Sequence, residues 1–234
     1  LQKEAKTPIL LSGDAVATGN EMKRKAAIAL LPGLLLGACS VVGIRDTPEP
    51  ASTVIGVVGP VEIRRYAPTA AAETVVDGRE LYARSIGFQR LFNYITGSNA
   101  GGGKIAMTAP VAQGPAEKIA MTAPVAQTQS STGAWTVRFF LPPTLTAETA
   151  PKPLDSRVVI VPVPARIMAV LRFSGQATPD SVQAEGRRLD AALASSAWRA
   201  DGPLVAWFYD PPWTLPPFRR NEVARPVEAQ PAAP

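Results

Sequence analysis

Strand-like sequence comes in pairs in this chain, and in each half one amphipathic helix stands between two such pairs. That order, met twice, confines the chain to an α+β fold. VEIRRY (Val61–Tyr66) and AETVV (Ala72–Val76) have strand character, with a turn at Ala67-Pro68. Phe88, Leu91, Phe92 and Ile95 then recur at i, i+3, i+4 and i+7, one apolar stripe on a helix that Gly97 stops. IAMTAPV and WTVRFFL follow as strands. The second half opens with RVVIVPV (Arg157–Val163) and ARIMAVLRF (Ala165–Phe173). Thr178-Pro179 supplies an N-cap with proline at the first helical position, and Val182, Leu189 and Leu193 mark the buried face of a helix ending near Ser196. LVAWFY (Leu204–Tyr209) and NEVARPV (Asn221–Val227) complete it. The plan is β-β-α-β-β twice over. It predicts antiparallel sheet around a core with helices packed outside. The 24 prolines, about twice the usual share, keep the elements short.

The segment KIAMTAPVAQ is written twice, at Lys104–Gln113 and Lys118–Gln127. Ile105, Met107, Ala109 and Val111 alternate with other residues, and Ile119, Met121, Ala123 and Val125 repeat the pattern. A period of two predicts one apolar face per copy. Gly114–Glu117 between them predicts a turn, and so a hairpin of two identical strands. Pro110 and Pro124 cannot donate to a ladder and belong at an edge, an end or a bulge. The repeat reads as duplicated architecture, with Met107 or Met121 lining a ligand pocket as the functional alternative.

The chain contains no histidine. That excludes Ser-His and Cys-His nucleophiles, His-ligated zinc and imidazole bases. The single cysteine, Cys39, excludes intrachain disulfides and thiolate clusters. Glu62, Glu73, Asp77 and Glu80 form no recognisable acid–base constellation, and Gly101-Gly102-Gly103 precedes a strand instead of a helix, so no phosphate loop is present. No enzyme is expected. Of the 24 basic and 19 acidic residues, five and three precede Cys39, which leaves 19 against 16 from there on. Those bases are scattered, so no nucleic-acid partner is expected.

The front of the chain reads as an address. Lys23, Arg24 and Lys25 form a positive n-region, an apolar run extends from Ala26 to Leu36, and small residues precede Cys39. The run is too short to span a bilayer, and Pro32 interrupts it. Leu36-Gly37-Ala38-Cys39 resembles the lipobox of bacterial lipoproteins, which implies lipidation at Cys39 and, with Ser40 after it, sorting to the outer membrane. Residues 1–21 are then a non-native or mis-started extension, 22–38 a lipoprotein signal peptide, 39–55 a tether, 56–227 the folded domain and 228–234 a disordered tail.

VEIRRY, FQRLFNYITGSN, KIAMTAPV, WTVRFFLP, RFSG (Arg172–Gly175) and YDPPWTLPPFRRNEV (Tyr209–Val223) together resemble the SOUL/haem-binding protein family across roughly residues 59–225. The resemblance implies a distorted β-barrel of two related halves. It also implies haem or another tetrapyrrole in a shallow apolar site between the first helix and the loop before the last strand. Carried over, the ligand-binding residues are Phe88, Leu91, Phe92 and Ile95 on the helix, with Tyr209, Trp213 and Phe218 on the loop. Arg219 or Arg220 would meet the propionates. The helical stripe is also what any amphipathic helix buries, so two or more of its four residues are expected in the core. Without histidine, binding would rest on the ring face, with no metal site assigned. The alternatives are a non-haem module for flat or amphipathic small molecules, which a carboxylate buried in the cleft would favour, and a structural envelope protein with a vestigial cleft. Replacing the lipidation site, Cys39→Ala, is expected to release the protein from membranes in a fractionation assay without unfolding it; a variant that still sediments with membranes would refute the anchor.

Overall fold

The structure is a computed structural model and describes residues 47–116 and 133–230. The expected leader, Cys39 and the second copy of KIAMTAPVAQ lie outside the described residues. The elements in chain order are β1 (Ser52–Val58), β2 (Val61–Tyr66), β3 (Thr69–Asp77), α1 (Glu80–Ile95), β4 (Val111–Pro115) and β5 (Ala134–Phe140). They continue with β6 (Val158–Val163), β7 (Arg166–Phe173), α2 (Pro179–Leu193), β8 (Trp198–Ala200), β9 (Val205–Phe208), a 3-10 turn at Pro216–Phe218, and β10 (Asn221–Ala229).

All the strands join one curled antiparallel sheet in the order β1-β2-β7-β10-β9-β4-β5-β3-β6, with β8 added on β10. Without β1 and β8 the order is symmetric about the β9–β4 junction. β4 corresponds to β9, β5 to β10, β3 to β7, and β6 to β2. Each half gives its first strand away: β2 pairs with β7 of the second half, and β6 pairs with β3 of the first. The halves therefore cannot separate without breaking two strand ladders as well as the central β4–β9 pairing.

Strand alternation assigns the two faces of the sheet. On the outer face Leu91, Tyr94 and Ile95 of α1 pack on Ala72, Val111, Val137 and Phe139. Val182, Leu189 and Leu193 of α2 pack on Ile63, Ala169, Leu171 and Val223. The inner, concave face carries Met168, Val170, Trp207 and Ala224 with Tyr66, Phe140 and Tyr209 around them. The Thr178 hydroxyl accepts the Ser181 N–H at 3.2 Å and caps α2 as expected.

Several boundaries differ from the sequence expectation. Residues 52–55, expected in the tether, form the start of β1 on the edge beside β2. Glu228 and Ala229, expected in the tail, pair with β8, itself not foreseen. In the described copy of the repeat, Lys104–Gln113, only Val111 to Gln113 is strand, and β4 continues through Gly114 and Pro115, which therefore do not turn the chain as expected. The preceding Thr108, Ala109 and Pro110 are buried in succession, so this stretch has no two-residue alternation, while Met107 is exposed. The Thr108 hydroxyl is taken up by the Phe140 carbonyl, which buries a residue that the pattern had placed outside.

Each helix approaches the sheet through a glycine at the eighth residue of the helix, Gly87 in α1 and Gly186 in α2. A Cβ on Gly87 would lie 2.5 Å from Val137 Cγ2 and 2.7 Å from Val137 Cβ. On Gly186 it would meet only the tip of the Leu204 side chain, at 2.5 Å. Valine on a strand is stiff at χ1, whereas a leucine tip can turn aside. Gly87→Ala should therefore destabilise the fold by about 1–3 kcal/mol in denaturant titration, and Gly186→Ala by clearly less.

Candidate functional site

Two surfaces carry groups that the core does not consume, one on each face of the sheet. On the outer face, Phe88 and Phe92 of α1 are 37% and 41% exposed and stack with centroids 5.8 Å apart. Phe88 also meets Phe139 edge-on at 5.3 Å, which fixes the pair to the sheet. The loop between β9 and β10 is brought beside this helix by a short chain of contacts. The Arg84 guanidinium lies 3.8 Å over the ring of Phe208, the last residue of β9, and donates to the Ala177 carbonyl at 2.9 Å. Two residues back, the Gly175 N–H donates to Pro216 O at 2.9 Å within the loop. Trp213 (66% exposed), Leu215 and Phe218 project from that loop.

On the inner face the Glu222 side chain, 0% exposed, sits between two guanidinium groups. Arg64 of β2 donates from both terminal nitrogens, at 3.0 and 3.2 Å. Arg220 donates at 2.9 and 3.1 Å, and the Tyr209 hydroxyl at 2.6 Å. Burial alone would push the Glu222 carboxyl up, but the hydrogen bonds and charge of Arg64, with Tyr209 and Arg220, hold it below the ordinary carboxylate range. Burial, together with the adjacent Glu222 charge, pushes the Tyr209 hydroxyl well above its usual value. Arg220 also covers the Tyr209 ring at 3.8 Å and reaches Glu49, ahead of β1, at 2.7 Å. Beside this network lies a cleft of about 100 Å³ walled by Tyr66, Phe140, Met168 and Trp207.

The residues singled out from sequence therefore divide three ways. Phe88, Phe92, Trp213 and Phe218 are exposed on the outer face and loop, whereas Leu91 and Ile95 are core beneath α1. Tyr209 and Arg220 belong to the inner network. Both arginines expected to meet propionates have partners within the protein: Arg220 is held by Glu222 and Glu49, and Arg219 donates to the carbonyls of Thr214, at 2.7 Å, and Pro212 in its own loop. Glu222 and Arg64 were not anticipated as site residues. Their signal was charge at inward-facing positions of strands otherwise built from apolar residues.

Residues 47–226 match the SOUL heme-binding protein family. The chain belongs to that family. The family's name refers to heme binding, and among the described residues no group of three or more His, Cys, Asp or Glu is placed to hold a metal ion. A search of curated proteins finds no significant match. In fold, this SOUL member is similar to the C-terminal domain of EcmrR, with a TM-score of 0.54 and 10% identity over 72% of this chain and 97% of that domain. It is equally similar to EcmrR in the EcmrR–DNA complex, also at TM-score 0.54 and 10% identity, where it spans only 57% of that chain. At such identity the likeness concerns the fold alone.

Because the Glu222 pKa is lowered in the folded state, its contribution to stability is present above the unfolded value, about 4.3, and is lost as pH falls through the folded value. Glu222→Gln removes the buried charge that Arg64 and Arg220 share and leaves each only its half-exposed partner, Glu62 or Glu49, so it should cost up to about 3–5 kcal/mol at pH 7. The gap between variant and parent, measured by urea unfolding, should narrow as the pH is lowered below 4.

Proposed function

We propose that this SOUL member binds a tetrapyrrole against the outer face, on the seam between α1 and the β9–β10 loop, as a carrier or buffer at the cell envelope. The observation that carries the reading is the stacked, exposed Phe88–Phe92 pair on α1, the helix whose Arg84 lies over Phe208 at the start of the loop that exposes Trp213, Leu215 and Phe218. A porphyrin is a flat apolar plate with carboxylates at one edge. An aromatic surface of this kind suits its ring face, and a nearby cation suits its edge. Arg219 and Arg220 are committed elsewhere, so the cation would be Lys104, which is exposed and precedes Ile105, whose N–H donates to Ile95 O at 2.8 Å at the end of α1. Leu91 and Ile95 act from beneath by fixing the helix.

The donor set supports an iron-independent mode. The chain offers no imidazole, so the affinity rests on ring stacking, and iron adds little. Removal of the leader at residues 22–38 and lipidation of Cys39 would hold the domain at the membrane surface, outer-membrane bound and facing the periplasm, where apolar tetrapyrroles partition.

Titration with haemin and with metal-free protoporphyrin, followed by visible absorption and tryptophan quenching, tests this reading. Both should bind saturably and with similar affinity. Phe92→Ala or Trp213→Ala should weaken each by about 2- to 10-fold, the worth of one aromatic contact. A sharp low-spin haem spectrum of the histidine-ligated kind, or no saturable binding of either compound, would overturn it.

A further inference from the structure

We propose that the concave face holds a second and separate site, for a small aromatic carboxylate, with Arg166 as its anion-binding residue. The inference does not rest on the tetrapyrrole reading, which concerns the opposite face of the sheet.

Size comes first. The inner cleft measures about 100 Å³. A cavity of about 150 Å³ takes up benzene, so this one is on the scale of a single aromatic ring and far short of a four-ring macrocycle. Its walls suit such a ring. Tyr66 and Trp207 meet edge to face at 5.4 Å and 75°, with Phe140 and Met168 also lining the cleft. Aromatic edges and a thioether both pack well on a π-face.

Charge decides the sign of the ligand. Three charged residues line the cleft: Glu49, Arg138 and Arg166. Glu49 is paired with Arg220, and Arg138 with Glu73 of the neighbouring strand. The Arg166 side chain has no hydrogen-bond or ion-pair partner among the described residues. It stands directly across the β2–β7 ladder from Tyr66, so the two side chains leave the sheet side by side on the same face. A carboxylate held by the planar Arg166 fork would therefore carry its ring toward Tyr66 and Trp207.

A cation would not be held in this way. The fully buried carboxylate nearby, Glu222, already receives bonds from Arg64, Arg220 and Tyr209, which leaves its oxygens little capacity for another donor. A positive ligand would also be set beside Arg166 with no free counter-charge. The buried acid thus serves the fold and the arginine serves the ligand, which makes this cleft selective for anions.

The test uses 4-fluorobenzoate as the probe, with 19F NMR titration of the full chain, and 4-fluorobenzylammonium as the cationic counterpart. Saturable line broadening or shift is expected for the benzoate alone. Arg166→Ala removes an exposed side chain without a protein partner and should leave the thermal melt unchanged, while weakening the benzoate by at least about tenfold, as loss of a charged hydrogen-bonded pair implies. Arg166→Glu should abolish benzoate binding. Haemin added to the bound state should not displace the probe. Equal binding of the cation, unchanged affinity in Arg166→Ala, displacement by haemin, or no saturable signal would each overturn the proposal.

Discussion

One buried carboxylate ties together parts of this fold that are far apart in sequence. Glu222 on β10 joins Arg64 on β2 with Arg220 and Tyr209 on either side of the β9–β10 loop, and Arg220 carries the connection on to Glu49. β2 and β10 are not neighbours; β7 runs between them. The bidentate Arg64–Glu222 contact therefore spans the sheet's concave face, and it favours the curl that brings the flanking strands toward one another. Two guanidiniums on one carboxylate also make the network intolerant of partial loss, since removing the acid takes the one fully buried counter-charge from both and leaves only the half-exposed Glu62 and Glu49. A well-packed apolar set could supply equal stability. What the ionic set adds is a fixed geometry for Tyr209 and for the loop that follows it.

The exchange of first strands explains why a chain of two similar halves forms one sheet instead of two small ones. A half consisting of two strands, a helix and two strands has a single helix to cover its sheet and leaves its edges unpaired. Exchanging β2 for β6 keeps four strands in each half-sheet but takes one of them from the other half, and the β4–β9 pairing closes the junction. The equivalent glycines, Gly87 and Gly186, keep the two helices at similar closeness to the sheet, and the difference in their neighbours shows how far the halves have diverged. Val137 is part of β5 itself, whereas Leu204 comes from the loop before β9.

Much of this was legible in the sequence because strand and helix periods are local. VEIRRY begins and ends where β2 does, and Thr178-Pro179 marks the start of α2. What was not legible depends on partners. The stripe Phe88, Leu91, Phe92 and Ile95 has the right spacing for a buried face, yet the helix is rotated so that Gly87, Leu91 and Tyr94 face the sheet. Gly87 was the clue, since a residue without a side chain marks the line of closest approach. The first four residues of β1, 52–55, fell in the expected tether because a short edge strand has few demands on its sequence. Glu222 and Arg64 are 158 positions apart, and no local pattern pairs them. Alternation does reveal that each faces inward, and an inward charge on a buried strand requires an opposite charge somewhere across the sheet.

The division of labour between the two faces follows from how each exposes its aromatics. On the outer face Phe88, Phe92 and Trp213 stand exposed on a helix and a loop, a surface that would suit flat apolar plates in general and select poorly among them. On the inner face the aromatics are set in strands, held by cross-strand pairing, and bounded by charges that are neutralised with the exception of Arg166. Rigid walls and one uncommitted cation select by size and sign. A sheet whose faces differ in this way can serve two chemically unlike ligands without competition between them, because the strands that separate the surfaces are fully paired and their side chains alternate. No residue of β2, β7, β9 or β10 can face both surfaces at once.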